Sequence, residues 1–221
     1  MKFSNVLMFA SFAFAAPAAV EVRQQQTVTG VVLGSTQTLL NTVNTNVDAI
    51  KTAINGAGGN IGASVQAQIR ANLQAILAEL QTAATTISGA TAGAAGGIVG
   101  AATGLTQQQI NDLAQAVQNT LNAVAALNVL VTAETTNLTG PLGTFAQTEI
   151  NAIRAAISPF AAPVITFARA VQAFSARVGV TVTGLAAVTT SLTSYITNLL
   201  NSLGLGLSLP LIPGASKRAA L

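Results

Sequence analysis

From Ile110 to Val131 apolar residues return every three or four positions: Ile110, Leu113, Val117, Leu121, Val124, Leu127, Val131. That period constrains the chain more than any other feature, because only a helix puts such residues on one face. The start is marked as well. Thr106 can cap the first turn, Gln109 three residues later completes a capping box, and Leu105 and Ile110 stand at the staple positions on either side. The opposite face carries Gln108, Gln115, Gln118, Asn122 and Asn128, polar but uncharged. Such a helix buries one stripe and leaves the other wet, and it carries no reactive group.

The same pattern recurs along the chain, which predicts an all-α fold: a bundle of about five to six amphipathic helices with a Gly/Ala-rich break in the middle. Val32, Thr36, Leu39, Val43, Val47, Ile50 and Ile54 set a first helix over about Val28 to Ile54. The run from Asn55 to Asn60 reads as a turn. Val65, Ile69, Leu73, Ile76, Leu80 and Ile87 set a second helix, about Ala63 to Ile87, and the short connection makes the two antiparallel neighbours. Gly89 to Gly104 is low in complexity and reads either as a flexible connector or as a loose helical turn. It lacks the Lys-Ser or Lys-Thr of a phosphate loop.

After the organising helix, Leu142 to Ile157 forms a fourth, which Ser158-Pro159 is expected to interrupt. Pro163 suits the first turn of a fifth. Phe160, Phe167 and Phe174 lie seven apart, with Val164, Val171 and Val178 between them, an a/d seam. This aromatic stripe reads as core, or as the lining of a space wide enough for an acyl chain. In the second case Phe167 and Phe174 face Leu113, Val117 and Leu121 of the organising helix, and these five are the candidate ligand-binding residues. Gly179 to Gly184 breaks the pattern, and Val188, Leu192, Ile196, Leu199 and Leu203 carry a last helix, about Leu185 to Leu203.

Composition narrows the chemistry. The 221 residues contain no His and no Cys, which removes the commonest metal ligand and general base, the thiol nucleophile and the Ser-His-Asp triad. Hydrophobic residues make up 51% and charged ones only 7%, so solubility rests on Gln, Asn, Thr and Ser. The formal charge of +3 is concentrated at the ends, in Lys2, Arg23, Lys217 and Arg218. Lys51, Arg70, Arg154, Arg169 and Arg177 are matched in the middle by Asp48, Glu79, Asp112, Glu134 and Glu149. With no basic cluster, nucleic acid is not an expected partner. No catalytic residue, metal site or cofactor is predicted, and an enzyme is not expected.

The termini carry addressing signals. Lys2, the apolar run Val6 to Ala15 and the Ala13-Phe14-Ala15 cleavage site predict a signal peptide over residues 1–15. The run is too short for a bilayer span, which needs about 20 apolar residues. Residues 16–26 come next as a short tail or propeptide, then residues 27–203 as the bundle domain, and residues 204–221 as an apolar tail interrupted by Gly and Pro. Either that tail packs across the bundle or it is a sticky, mobile end. Asn137-Leu138-Thr139 is an N-glycosylation sequon beside Gly140-Pro141, which places Asn137 on an exposed loop.

The layout resembles the fungal hydrophobic-surface-binding proteins and cell-wall galactomannoproteins. A signal ending Ala-Phe-Ala-Ala-Pro leads to two long helices of Thr, Asn, Gln and Ala, then a Gly-rich break. The Leu-Thr-Gln-Gln-Gln-Ile-Asn-Asp-Leu-Ala-Gln-Ala-Val helix comes after it, with two more of Ile and Phe spacing. The resemblance covers roughly Thr27 to Arg177 and is one of pattern, without a fixed motif. It implies a secreted, all-helical bundle that adsorbs to hydrophobic surfaces or holds a fatty acid between its helices, associated with the cell wall. The chain departs from that pattern in its few Asp and Lys, its longer Gly/Ala break and the extra helix after Gly179.

Three readings of function result. The first is a secreted, non-enzymatic protein that binds lipid or hydrophobic surfaces, with cell-wall polysaccharide as a further partner and no stable transmembrane span. The second is a structural or antigenic wall mannoprotein without ligand. The third is a membrane-active secreted effector.

Overall fold

The fold is taken from a computed structural model, which describes residues 27–57, 61–132, 145–177 and 182–202. The predicted signal peptide (1–15), the tail or propeptide (16–26), the sequon at Asn137 and the C-terminal tail (204–221) lie outside the described residues. The protein is an all-α helical bundle, 90% helical over the described residues and without a strand among them. Its helices are α1 Val28–Gly56, α2 Ala63–Gly93, α3 Gly97–Ala101, α4 Gln107–Thr132, α5 Gln147–Arg177 and α6 Thr183–Ser202.

Local chemistry sets several of these boundaries. Thr27 caps α1, its hydroxyl accepting from the Gly30 N–H at 3.2 Å. The capping box at α4 is made reciprocally: the Gln109 N–H donates to Thr106 Oγ1 at 3.2 Å, and the Thr106 N–H donates to Gln109 Oε1 at 2.8 Å. Glu149 in the first turn of α5 and Arg177 in its last match the helix dipole. With so few charges, the polar faces are held largely by side-chain bonds from a Gln amide to an Asn or Asp oxygen four residues on. Gln37–Asn41, Gln107–Asn111, Gln108–Asp112, Gln115–Asn119, Gln118–Asn122 and Gln147–Asn151 all bond in this way, each contributing about 0.2–0.5 kcal/mol.

Two segments differ from the sequence expectation. Residues 147–177 form one continuous helix, not two helices parted at Ser158-Pro159. Pro159 and Pro163 remove the donors for the carbonyls of Ala155 and Pro159. Ala155 and Pro159 are exposed, so water can serve those carbonyls. The next turns bury Phe160, Ala161, Val164, Ile165, Phe167 and Ala168 completely, and that burial outweighs the missing bonds. Likewise α2 runs through Gly89 to Gly93, where Thr91 is buried and bonds back to the carbonyls of Ile87 and Ser88. The break itself shrinks to residues 94–106 around the single turn of α3. Gly96, Gly97 and Gly104 take positive φ there (80°, 63° and 67°), the left-handed conformation that glycine adopts without steric cost.

Four helices close a ring in the order α1, α2, α5, α4, and α6 packs outside it against α4 and α5. The ring is not a simple up-and-down sequence. Arg70 on α2 donates from Nε to the Phe145 carbonyl just before α5 (2.8 Å) and lies over the Phe145 ring, while Gln74 reaches Glu149 at 3.5 Å. Both contacts join the N-terminal halves, so α2 and α5 are parallel neighbours. The connection through α3 carries the chain from the end of α2 to the start of α4, with α3 packed on α2 and α5. A second registration sits between α1 and α4. Asn119, only 2% exposed, donates to Gln37 Oε1 at 3.1 Å and accepts from Gln115, while Gln37 donates to Asn41. The four amides form one relay across the interface, and the buried one has partners on both its atoms.

Candidate functional site

The five residues named from sequence do not form one lining. Leu113 and Val117 on α4 and Phe167 on α5 are completely buried in the single hydrophobic core, and Leu121 is half-buried against it. Phe174, one heptad beyond Phe167, is half-buried near the end of α5. The two helices do pack on each other, so the aromatic and aliphatic stripes share an interface.

A surface depression lies elsewhere, between the parallel helices α2 and α5. It is an open groove of about 460 Å³ lined by Leu80, Gln81, Ala84, Thr85, Ala152, Ala155, Ala156 and Pro159. Leu80, fully buried, is its floor; Ala84, Ala152 and Ala156 are half-buried walls; Gln81, Thr85, Ala155 and Pro159 are exposed rims. The cause is small side chains facing each other. Arg70 and Phe145 fix the register of the two helices, and alanines at that level leave the space between the backbones unfilled. The Thr85 hydroxyl is bonded to the Gln81 carbonyl at 2.9 Å, and no charged residue lines the groove. Pro159 leaves the Ala155 carbonyl on the rim without its helical donor. A groove of this size falls within the range of small-ligand sites.

A second, smaller depression of about 280 Å³ lies between α1 and α2, among Gly30, Val31, Gly34, Ser35, Thr38, Glu79, Thr82, Ala83 and Thr86. It is more polar and holds one carboxylate. Among the described residues no group of three or more His, Cys, Asp or Glu could hold a metal ion. One helix, α5, is long and apolar enough to cross a membrane by length and composition, and half of its most apolar window is buried within the bundle. No other described helix meets that test.

Sequence reading names none of the groove's alanines, because it follows the large apolar residues of each stripe, and it places Leu80 and Pro159 only in a helix stripe and a break. The spacing of Ala152, Ala155 and Ala156, three and one, ending at Pro159, was the available signal. No protein-family model, curated protein or solved structure matches the chain.

Proposed function

We propose that the protein is a secreted, non-enzymatic binder of apolar ligands or surfaces, associated with the cell wall, and that the groove between α2 and α5 is where an acyl chain lies. The observation that carries this is the groove itself, an uncharged, alanine-walled opening in a chain without His or Cys. Each methylene removed from water contributes about 0.8 kcal/mol, so six would supply about 5 kcal/mol before ordering costs. Titration of the full chain with a fluorescent fatty acid tests the reading. Ala155→Glu puts a charge on the exposed rim at a position Glu suits in a helix, and should weaken binding about tenfold or more while leaving the melting curve nearly unchanged. Absence of binding to the unaltered protein at any monomeric fatty-acid concentration would remove the proposal. The stripe of Leu113, Val117, Leu121, Phe167 and Phe174 serves the same function only if α4 and α5 part to admit a chain.

The complete burial of Leu113, Val117 and Phe167 favours a second reading, a wall protein whose helices make a stable bundle and hold nothing. Both readings share secretion and a glycan on Asn137. N-terminal sequencing of extracellular protein should then begin at or after Ala16, and Met1 or Lys2 at that terminus would overturn the export signal.

A further inference from the structure

The depression between α1 and α2 has a chemistry opposite to that of the groove between α2 and α5. Residues 57–62 join the two helices and reach at most about 20 Å, while each helix is over about 40 Å long. Helices that pack closely on so short a connection are antiparallel. Thr38 on α1 therefore stands opposite Glu79 on α2, and Gly30 opposite Thr86, and the depression runs about 10–12 Å between these two ends. Gly30 and Gly34, one turn apart, leave the α1 wall without side chains, and an added Cβ on Gly34 would meet nothing within 4 Å. Ala83 is the buried floor, and Val31, Ser35 and Glu79 are half-buried. By helical spacing Glu79, Thr82, Ala83 and Thr86 lie on the opposite side of α2 from Leu80, Gln81, Ala84 and Thr85, which line the other groove.

The polar groups of this depression are the ones the bundle does not use. Among the described residues Asp48 pairs with Lys51, Asp112 accepts from Gln108 and Glu149 accepts from Gln74. Glu79 alone of the described carboxylates has no protein partner, although it is half-buried. The hydroxyls of Ser35, Thr38, Thr82 and Thr86 also bond to no described protein group. Their neighbours Thr36 and Thr85, by contrast, bond back to the carbonyls of Leu33 and Gln81, the usual habit of Thr in a helix. We infer that the depression is a site for a small hydroxylated primary amine, of the amino-sugar class, with its ammonium on Glu79 and its hydroxyls on Ser35, Thr38, Thr82 and Thr86. An ammonium offers the half-buried carboxylate a charge-assisted hydrogen bond, the strongest kind open to it. With one carboxylate the lining lacks the ligand charge of a divalent-metal site. It has no aromatic face for a neutral sugar ring to stack on, so charge is what adds affinity. A plain alkylamine would use Glu79 and leave the hydroxyls to water. At about 280 Å³ the space lies just below the usual range for drug-sized ligands, which suits one small molecule.

Titration of the full chain with glucosamine tests this, in mildly acidic buffer where the amine is protonated, read by calorimetry or by amide NMR shifts. Glucosamine should bind with a dissociation constant on the order of 1–10 mM, weakening as salt is raised. N-acetylglucosamine keeps the ring and loses the charge, and should bind about tenfold more weakly or worse. Glu79→Gln should weaken glucosamine binding by about tenfold, and Gly34→Leu, which fills the space from the α1 wall, should abolish it. Asp48→Asn makes the same change of charge on an exposed carboxylate of α1 and should leave binding as it was. Glu79→Gln alters almost no volume, so it carries the test whether or not Gly34→Leu disturbs the helix pair. No glucosamine binding by the unaltered chain, binding untouched by Glu79→Gln, or equal binding of N-acetylglucosamine would each overturn the inference. Equal binding of butylamine would overturn the part given to the hydroxyls, and with it the amino-sugar class. Fatty-acid binding on the far side of α2 should be unchanged by Glu79→Gln, so this site and the acyl-chain groove can each fail without the other.

Discussion

Phe167→Ala should lower stability by about 3–5 kcal/mol, the usual cost of emptying a fully enclosed aromatic site. Phe160 and Phe167 are the largest completely buried side chains of the bundle, and Phe167 sits where α5 meets the core shared with Leu113 and Val117. Truncation there leaves a hole that rigid helix backbones cannot close. Phe174→Ala, at the same seam position one heptad on, should cost no more than about 1–2 kcal/mol, because its half-exposed ring has less apolar area to lose and leaves no closed cavity. At about 2–4 °C per kcal/mol for a chain of this size, the two variants should melt several degrees apart. Urea or thermal melts of both decide it. Equal and small losses would mean that the interior around Phe167 is loosely filled, and would return the α4–α5 interface to consideration as an acyl-chain space.

The unequal fate of Phe167 and Phe174 shows where sequence reading reaches its limit in this protein. Helical period identifies the face a residue lies on, and for α1 the predicted stripe from Val32 to Ile50 is the buried one residue for residue. The capping box of Thr106 and Gln109 was legible because all of its atoms lie within four residues. Period cannot show where along a seam the neighbouring helices stop covering it, and Phe174 lies near such an end. The two prolines of α5 misled for a related reason. Local preference argues for a break at Ser158-Pro159, whereas the burial that keeps the helix whole depends on segments distant in sequence.

Long-range pairing was equally invisible. The polar faces of α1 and α4 were evident, but the bond from Asn119 to Gln37 joins residues 82 apart. The groove depends on Ala84 and Ala156 meeting at one level, and that level is set by Arg70 against Phe145. A site made by what side chains leave empty has no signature in either stretch of sequence that forms it. Only the juxtaposition reveals it.

The connection between α2 and α4 is where a single methyl group should do most harm outside the core. A Cβ placed on Gly100 would overlap the carbonyl oxygen and carbon of Ala95, both backbone atoms that no rotamer change can move aside. The turn is already tightly determined: the Gly97 N–H donates to the Ala94 carbonyl at 2.7 Å, the Gly100 N–H donates to the Gly96 carbonyl at 3.1 Å, and Gly96 and Gly97 hold positive φ. Gly100→Ala should therefore cost about 1–3 kcal/mol, as forced overpacking does, and should loosen α3, whose Ala101 is buried. Gly34→Ala is the matched control. Gly34 lies within α1 with nothing within 4 Å of an added Cβ, so alanine there should stabilise by about 0.4–1 kcal/mol through reduced freedom of the unfolded chain. Opposite shifts of the two variants in one urea-melt experiment are expected. If Gly100→Ala melts with the parent, residues 94–101 do not take the compact turn that brings α4 across from α2, and the path of the chain between the two halves of the bundle must be redrawn.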